Sequence, residues 1–261
     1  MSRWEAERIV CLTDETTETL YRLGEEQRIV GISCHTVRPP QARQEKPAVT
    51  GFLKANIEDI LNLRPDLVLG FSDLQADIAR DLIQHGVEVH IFNQRDIAGI
   101  LRMIRTVGSL IGCELEGLEL IAELQREMEC VRAEGQLRPN RPLVYFEEWH
   151  DPLISGIGWV SELIGIAGGE DCFAELAANT LARDRIIANA DEVIRRAPDI
   201  VIASWCGKPF DKDVLLRRPG WEAIPAIQND RVYELDSSVI LQPGPASLTD
   251  GLQQLTEIVR G

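Results

Sequence analysis

Asn56-Ile57-Glu58-Asp59-Ile60-Leu61-Asn62-Leu63-Arg64-Pro65-Asp66-Leu67-Val68-Leu69-Gly70 decides the fold, because its outline returns as Ala190-Asp191-Glu192-Val193-Ile194-Arg195-Arg196-Ala197-Pro198-Asp199-Ile200-Val201-Ile202-Ala203. Each copy reads as a short helix with an acidic first turn, a Pro-Asp break, and an apolar run. Acids suit the positive end of a helix, and proline stops it. A run apolar at every position, rather than at alternate ones, is a strand buried on both faces. Two copies about 130 residues apart argue for two similar lobes rather than one barrel.

Working outward, the first half repeats strand and helix with short connections. Strands are expected at 8–12, 29–33, 67–70 and 87–92. Helices are expected at 13–23, capped by Thr13 or Asp14, at 57–63, capped by Asn56, and at 74–85. Residues 36–47 are proline-rich and charged, and read as a loop. A helix at 96–111 follows. Residues 114–136 then predict one helix of about 34 Å, with Leu118, Ile121, Leu124, Met128 and Val131 spaced along an apolar stripe. The pattern restarts with strands at 143–146, 200–204 and 231–235 and helices at 160–167, 191–197, 219–223 and 244–259. The predicted class is α/β with parallel sheets. The expected organisation is an N-terminal lobe over 1–112, a spine helix over 113–138 and a C-terminal lobe over 139–261.

Lys and Arg total 27 against 42 Asp and Glu, a formal charge of −15 over 261 residues. Such a chain repels phosphate backbones and anionic membrane surfaces, which excludes general nucleic-acid binding. Its longest apolar runs are about five residues, far short of the roughly 20 a bilayer span needs. The N-terminus, Met1 to Arg8, has no apolar stretch of signal-peptide length before the first strand. The location expected from it is the cytoplasm. The six cysteines (Cys11, Cys34, Cys113, Cys130, Cys172, Cys206) form no CxxC pair, so a zinc ribbon is excluded and free thiols are expected. Cys11 and Cys172 sit in apolar contexts and read as buried.

GxSxG, HExxH, Walker A and GxGxxG are absent. His85 and His90, in a helix end and a strand, read as structural. His35 and His150 follow strands, where sheet proteins place ligands. Glu147-Glu148-Trp149-His150-Asp151 reads as a loop just past a strand end, with groups able to hold a metal or a polar ligand; solvated loop residues are the alternative. Only 14 residues are Phe, Trp or Tyr. Phe52, Phe71, Trp149, Trp159 and Trp205 fall at predicted strand ends or loop starts, which suggests an apolar wall for a large planar ligand, with core packing the alternative for each. Trp4 and Trp221 are weaker candidates.

These residues carry a resemblance. Arg8-Ile9-Val10, Thr13-Asp14-Glu15-Thr16-Thr17-Glu18, Val30-Gly31-Ile32-Ser33, the stretch 56–69, residues 152–156, Ala167-Gly168-Gly169-Glu170 and residues 197–202 resemble the cobalamin-type periplasmic binding proteins. The resemblance covers nearly the whole chain. Residues 204–208, 218–224 and 241–245 are similar to members without a signal peptide that are described as cobalamin-binding. The resemblance implies two Rossmann-like lobes joined by one long spine helix, with no enzymatic activity. It also implies ligand positions at Thr13, Asp14 and Glu15, near His35, at Phe52, around Leu153, and near Arg185 and Gln242. Cobalamin binders carry aromatics at several of these. Here Leu153, Arg185 and Gln242 are not aromatic, and Trp149, Trp159 and Trp205 could supply that surface. Exported members dock on arginines of a membrane permease through one acid per lobe, and Glu58 and Asp191 fall at those positions.

The expected function is therefore a non-enzymatic binding protein for a corrinoid, with Phe71, Trp149, His150, Asp151, Trp205 and Cys206 joining the implied positions, and with His35 or His150 able to ligate cobalt. The alternative ligands are haem, a metal chelate or a divalent ion, held by His35, residues 147–151, Asp236, Cys34 and Cys206. A third reading is an enzyme or sensor using carboxylates and cysteines at strand ends.

Overall fold

The computed structural model describes residues 5–261. Trp4 lies outside them. The chain divides into two compact units. One comprises residues up to Gln94 with Ala98–Leu124, and the other Arg95–Ile97 with Gln125–Gly261. The helix Glu114–Gln136 forms over the expected residues, and the division falls within it, at Leu124 and Gln125. The fold is α/β, with a largely parallel sheet in each unit.

In the first unit, β1 (Ile9–Cys11), β2 (Ile29–Ser33), β3 (Ala48–Thr50), β4 (Leu67–Phe71) and β5 (Val89–Phe92) form a sheet in the order β3-β2-β1-β4-β5. All its pairings are parallel. Val10, Leu12, Ile60, Val68, Ile78 and Leu82 form one of its buried clusters. In the second unit, β6 (Leu143–His150), β7 (Leu153–Ser155), β9 (Ile200–Ala203) and β10 (Val232–Glu234) run in the order β10-β9-β6-β7, with β8 (Glu170–Asp171) pairing β6. Only β7 is antiparallel. Tyr145, Phe173, Val201 and Trp221 centre its core.

The repeated motif has the same geometry in both units. Arg64 and Ala197, which end the short helices, are left-handed at φ 49° and 47°. The following Pro-Asp then pins the start of the next strand to the central one. Asp66 accepts the amides of Glu7 and Arg8, both at 2.9 Å. Asp199 accepts the amide of Leu143 at 2.8 Å. The aspartates' own amides donate to Arg8 O (3.0 Å) and Leu143 O (2.9 Å). Each aspartate thus sets the β1–β4 or β6–β9 register, and hence which residues reach the carboxyl ends of the strands.

Several local expectations are corrected. Residues 36–47 hold a helical turn, Ala42–Glu45, and β3 follows it. The strand expected at 143–146 runs on to His150, so residues 147–150 belong to β6 rather than to a loop. They are held there by antiparallel pairing with β7 across Asp151-Pro152. The C-terminal helix begins with a π-helical turn, Ser247–Gly251, before Leu252–Arg260. Thr13 makes no side-chain cap; its hydroxyl donates to Glu15 instead. Asn56 does cap its helix, accepting the amide of Glu58 at 3.2 Å. Among the described residues no helix is long and apolar enough to cross a membrane.

Candidate functional site

Parallel strands bring their carboxyl ends to one edge of a sheet, and side chains just past those ends face the same side. In the first unit that edge carries Thr13, Asp14 and Glu15 after β1, His35 after β2, Phe52 after β3 and Phe71 at the end of β4. His35 is exposed, while Phe52 and Phe71 are half-buried. Three large apolar side chains not singled out from sequence follow the same strands: Val37, Leu53 and Leu74, exposed by 42, 62 and 58 %.

One buried side chain organises this edge. Gln75 has no exposed surface. Its Oε1 accepts the amide of Phe71 at 2.9 Å, and its Nε2 donates to Phe52 O at 3.1 Å and Leu12 O at 3.5 Å. It therefore ties the ends of β1 and β4 to the Phe52 loop. A lone glutamine inside a helical pattern gives no sequence signal of this. The acids beside it are unusual. Asp14, Glu15 and Glu18 are all buried. Thr13 Oγ1 donates to Glu15 Oε1 at 2.7 Å, whereas Glu15 Oε2 is buried with no partner. Burial pushes the Glu15 carboxyl up to about 7. It pushes Asp14 up to about 6, even though Asp14 accepts the amide of Val37 at 3.2 Å.

In the second unit the edge is formed by β6, β9 and β10. Glu147 is fully buried. Arg218 donates to both its oxygens (2.5 and 2.9 Å), Trp205 Nε1 donates to Oε1 (2.9 Å), and the Tyr145 hydroxyl donates to Oε2 (3.0 Å). A buried carboxylate needs this saturation. Its neighbour Glu148 takes both guanidinium nitrogens of Arg185 (2.6 and 3.0 Å). Arg185, an expected ligand position, is 1 % exposed and also donates to Ser155 O. Both glutamates of the segment are thus committed to arginines.

The Glu147–Trp205 bond fixes an aromatic group. His150 stacks on Trp205 with ring centroids 4.3 Å apart at 26°, Trp149 lies 5.0 Å from His150, and Phe210 meets Trp205 edge-on at 5.1 Å. Trp149 Nε1 donates to Asp151 O at 2.8 Å. Lys208 Nζ is 3.0 Å from His150 Nε2 and 6.0 Å from the Trp149 ring centre. An ammonium can only donate, so this contact places the neutral imidazole's proton on Nδ1, which is buried without a partner. Burial, with the Lys208 charge second, holds His150 below the usual imidazole range. For Nε2 to meet a metal, Lys208 must leave it.

The remaining positions are placed as follows. Leu153 pairs with His150 across the β6–β7 hairpin and packs on the core. Trp159 lies inside the helix Gly158–Ala167, is 3 % exposed, and donates to Ile240 O at 2.9 Å. Cys206 is exposed and follows Trp205; Gln242 is half-buried. Cys11 and Cys172 are buried, as expected. Glu58 and Asp191 are exposed in the first turns of Ile57–Asn62 and Asp191–Arg196. Among the described residues no three His, Cys, Asp or Glu side chains converge on a metal position. A recess of about 460 Å³ opens beyond β9 and β10 beside Trp205.

The sequence pattern of the family described as "Periplasmic binding protein" matches residues 9–239. An uncharacterized ABC transporter substrate-binding lipoprotein of Bacillus subtilis is 23% identical over 264 residues, covering 98% of this chain and 80% of the relative. A vitamin B12-binding protein of Vibrio cholerae is 24% identical over 259 residues, covering 96% and 88%. A solved periplasmic heme-binding protein from Roseiflexus sp. RS-1, in apo form, superposes with a TM-score of 0.78 at 25% identity, covering 97% of this chain and 99% of the other.

Proposed function

The chain belongs to the periplasmic binding protein family, and from that premise we propose that its ligand is a corrinoid. It is a substrate-binding protein of the ABC-transporter type, for a small molecule, and not an enzyme. The observation that carries the corrinoid reading is the aromatic group Trp149–His150–Trp205, locked at the carboxyl ends of β6 and β9 by buried Glu147. Trp205 is 3 % exposed and backs His150, while the half-buried rings of Trp149 and His150, tilted 56° to each other, are the apolar faces a macrocycle would meet. Phe52, Phe71, Leu53 and Leu74 offer a second apolar surface in the first unit. The vitamin B12-binding relative supports the same ligand class.

Haem is the second reading, favoured by the neutral imidazole of His150 and by the heme-binding structural relative. Titration with cobinamide, cobalamin and haem, following tryptophan emission and the ligand's visible spectrum, separates the two. Saturable one-to-one corrinoid binding that weakens at least tenfold in Trp205→Ala is the expected result. Haem binding with an iron spectrum abolished by His150→Ala, and no corrinoid binding, overturns it.

The cytoplasmic location is part of the same proposal. All six cysteines are free, with Cys34, Cys130 and Cys206 exposed, which suits a reducing compartment. For a permease partner, exposed Glu58 and Asp191 are the contacts proposed.

A further inference from the structure

The recess beyond β9 and β10 has an asymmetric set of polar groups. Glu234, Asp236, Lys208 and Ser237 line it, beside the Trp205 ring. Asp236 uses Oδ1 to accept the amide of Ser238 at 2.8 Å, and Glu234 uses Oε1 to accept the amide of Phe210 at 3.4 Å. Neither carboxylate has an ion-pair partner among the described residues, so each has a second oxygen directed to no cation. The one lysine spends one of its three donors on His150 Nε2, 3.0 Å from its Nζ. With two carboxylates against one lysine, the recess is rich in acceptors and net negative.

Such a surface accepts hydrogen bonds from N–H groups and repels carboxylates. Macrocycles with one ring shape can differ in just this respect, carrying side arms that end in primary amides or in carboxylates. An amide N–H₂ donates twice and bears no charge. A carboxylate only accepts and would face two others. Resting on the proposed corrinoid reading, we infer that this recess is a subsite for an amide-bearing side arm of the ligand, with Glu234 and Asp236 as its acceptors. It selects amidated over carboxylated macrocycles, and Trp205 forms the wall shared by the recess and the aromatic group.

Two corrinoids with the same ring test this: dicyanocobinamide, whose side arms are amides, and dicyanocobyrinic acid, its carboxylate counterpart. Affinities are measured for the native chain and for Glu234→Gln/Asp236→Asn, with thermal unfolding of both to establish that the variant is folded. Both substitutions lie on exposed residues. The expected result is at least a tenfold preference for the amide form in the native chain, falling to threefold or less in the variant. Equal binding of the two corrinoids by the native chain overturns the subsite while leaving the corrinoid reading intact. A preference unchanged in the variant overturns the assignment to Glu234 and Asp236. Binding of neither corrinoid removes both the reading and the subsite.

Discussion

Replacing Glu15 with Gln tests the electrostatics of the first unit's strand-end edge. Glu15 is 1 % exposed, one of its oxygens has no partner, and burial lifts its carboxyl from 4.5 to about 7. A tenfold change in proton affinity is worth about 1.4 kcal/mol. The lift therefore corresponds to about 3 kcal/mol of differential stability. The folded state holds the proton more tightly than the unfolded chain, so the native state is favoured fully below about pH 4.5 and loses that stability as pH rises through about 7. Asp14, pushed up to about 6 by burial, acts in the same direction. Glu15→Gln retains an acceptor for the Thr13 hydroxyl and cannot ionise. Urea unfolding followed by far-UV circular dichroism, at pH 5 and pH 8, gives the two free energies needed. The native protein should lose stability relative to Glu15→Gln by about 2.5 kcal/mol between those pH values, most of the full effect. Parallel curves, within 1 kcal/mol, would mean that the carboxylate is ionised and accommodated in the folded state, and would refute the reasoning.

Three other outcomes follow from named contacts. Glu147→Gln leaves Arg218 without its buried counter-charge and should cost about 3 kcal/mol, read by urea unfolding with tryptophan emission; a loss below 1 kcal/mol would show the pair to be dispensable. Gln75→Glu keeps the acceptor for the Phe71 amide but loses the donor to Phe52 O. Corrinoid affinity should fall about tenfold at pH 8 and recover at pH 5, where a protonated carboxyl can donate again; a drop independent of pH contradicts this role. Gly135→Ala would place a Cβ 3.1 Å from Gly168 Cα and Ile166 O, costing about 1–3 kcal/mol by overpacking, measured by thermal unfolding; an unchanged midpoint contradicts it.

The two lobes were legible because the copies carry local signals: acids in a first helical turn, a proline that stops the helix, and an apolar run. The register aspartates Asp66 and Asp199 stand inside those copies, so the motif itself encodes the strand alignment. The glycines inside 114–136 have partners that sequence cannot name: a Cβ on Gly117 would meet Gly108 Cα at 3.6 Å, and one on Gly135 would meet Gly168 Cα at 3.1 Å, so each glycine lets backbones approach. The 147–150 stretch was misread for a similar reason. Its acids look like loop residues until Arg185 and Arg218, 37 and 71 positions away, neutralise them. Trp149, His150 and Trp205 could be named as candidates from their places at strand ends. That His150 stacks on Trp205, and that Lys208 holds its Nε2, depends on contacts across more than fifty residues. Gln75 and the exposed Leu53 and Leu74 had no distinguishing pattern, because their role comes from where β3 and β4 end.

Competition dialysis with equal concentrations of cyanocobalamin and haemin decides in one measurement whether the chain holds a corrinoid. About one corrinoid should be retained per chain, with haemin left in the free compartment. Retention of haemin with exclusion of the corrinoid, or retention of neither, would contradict the corrinoid reading.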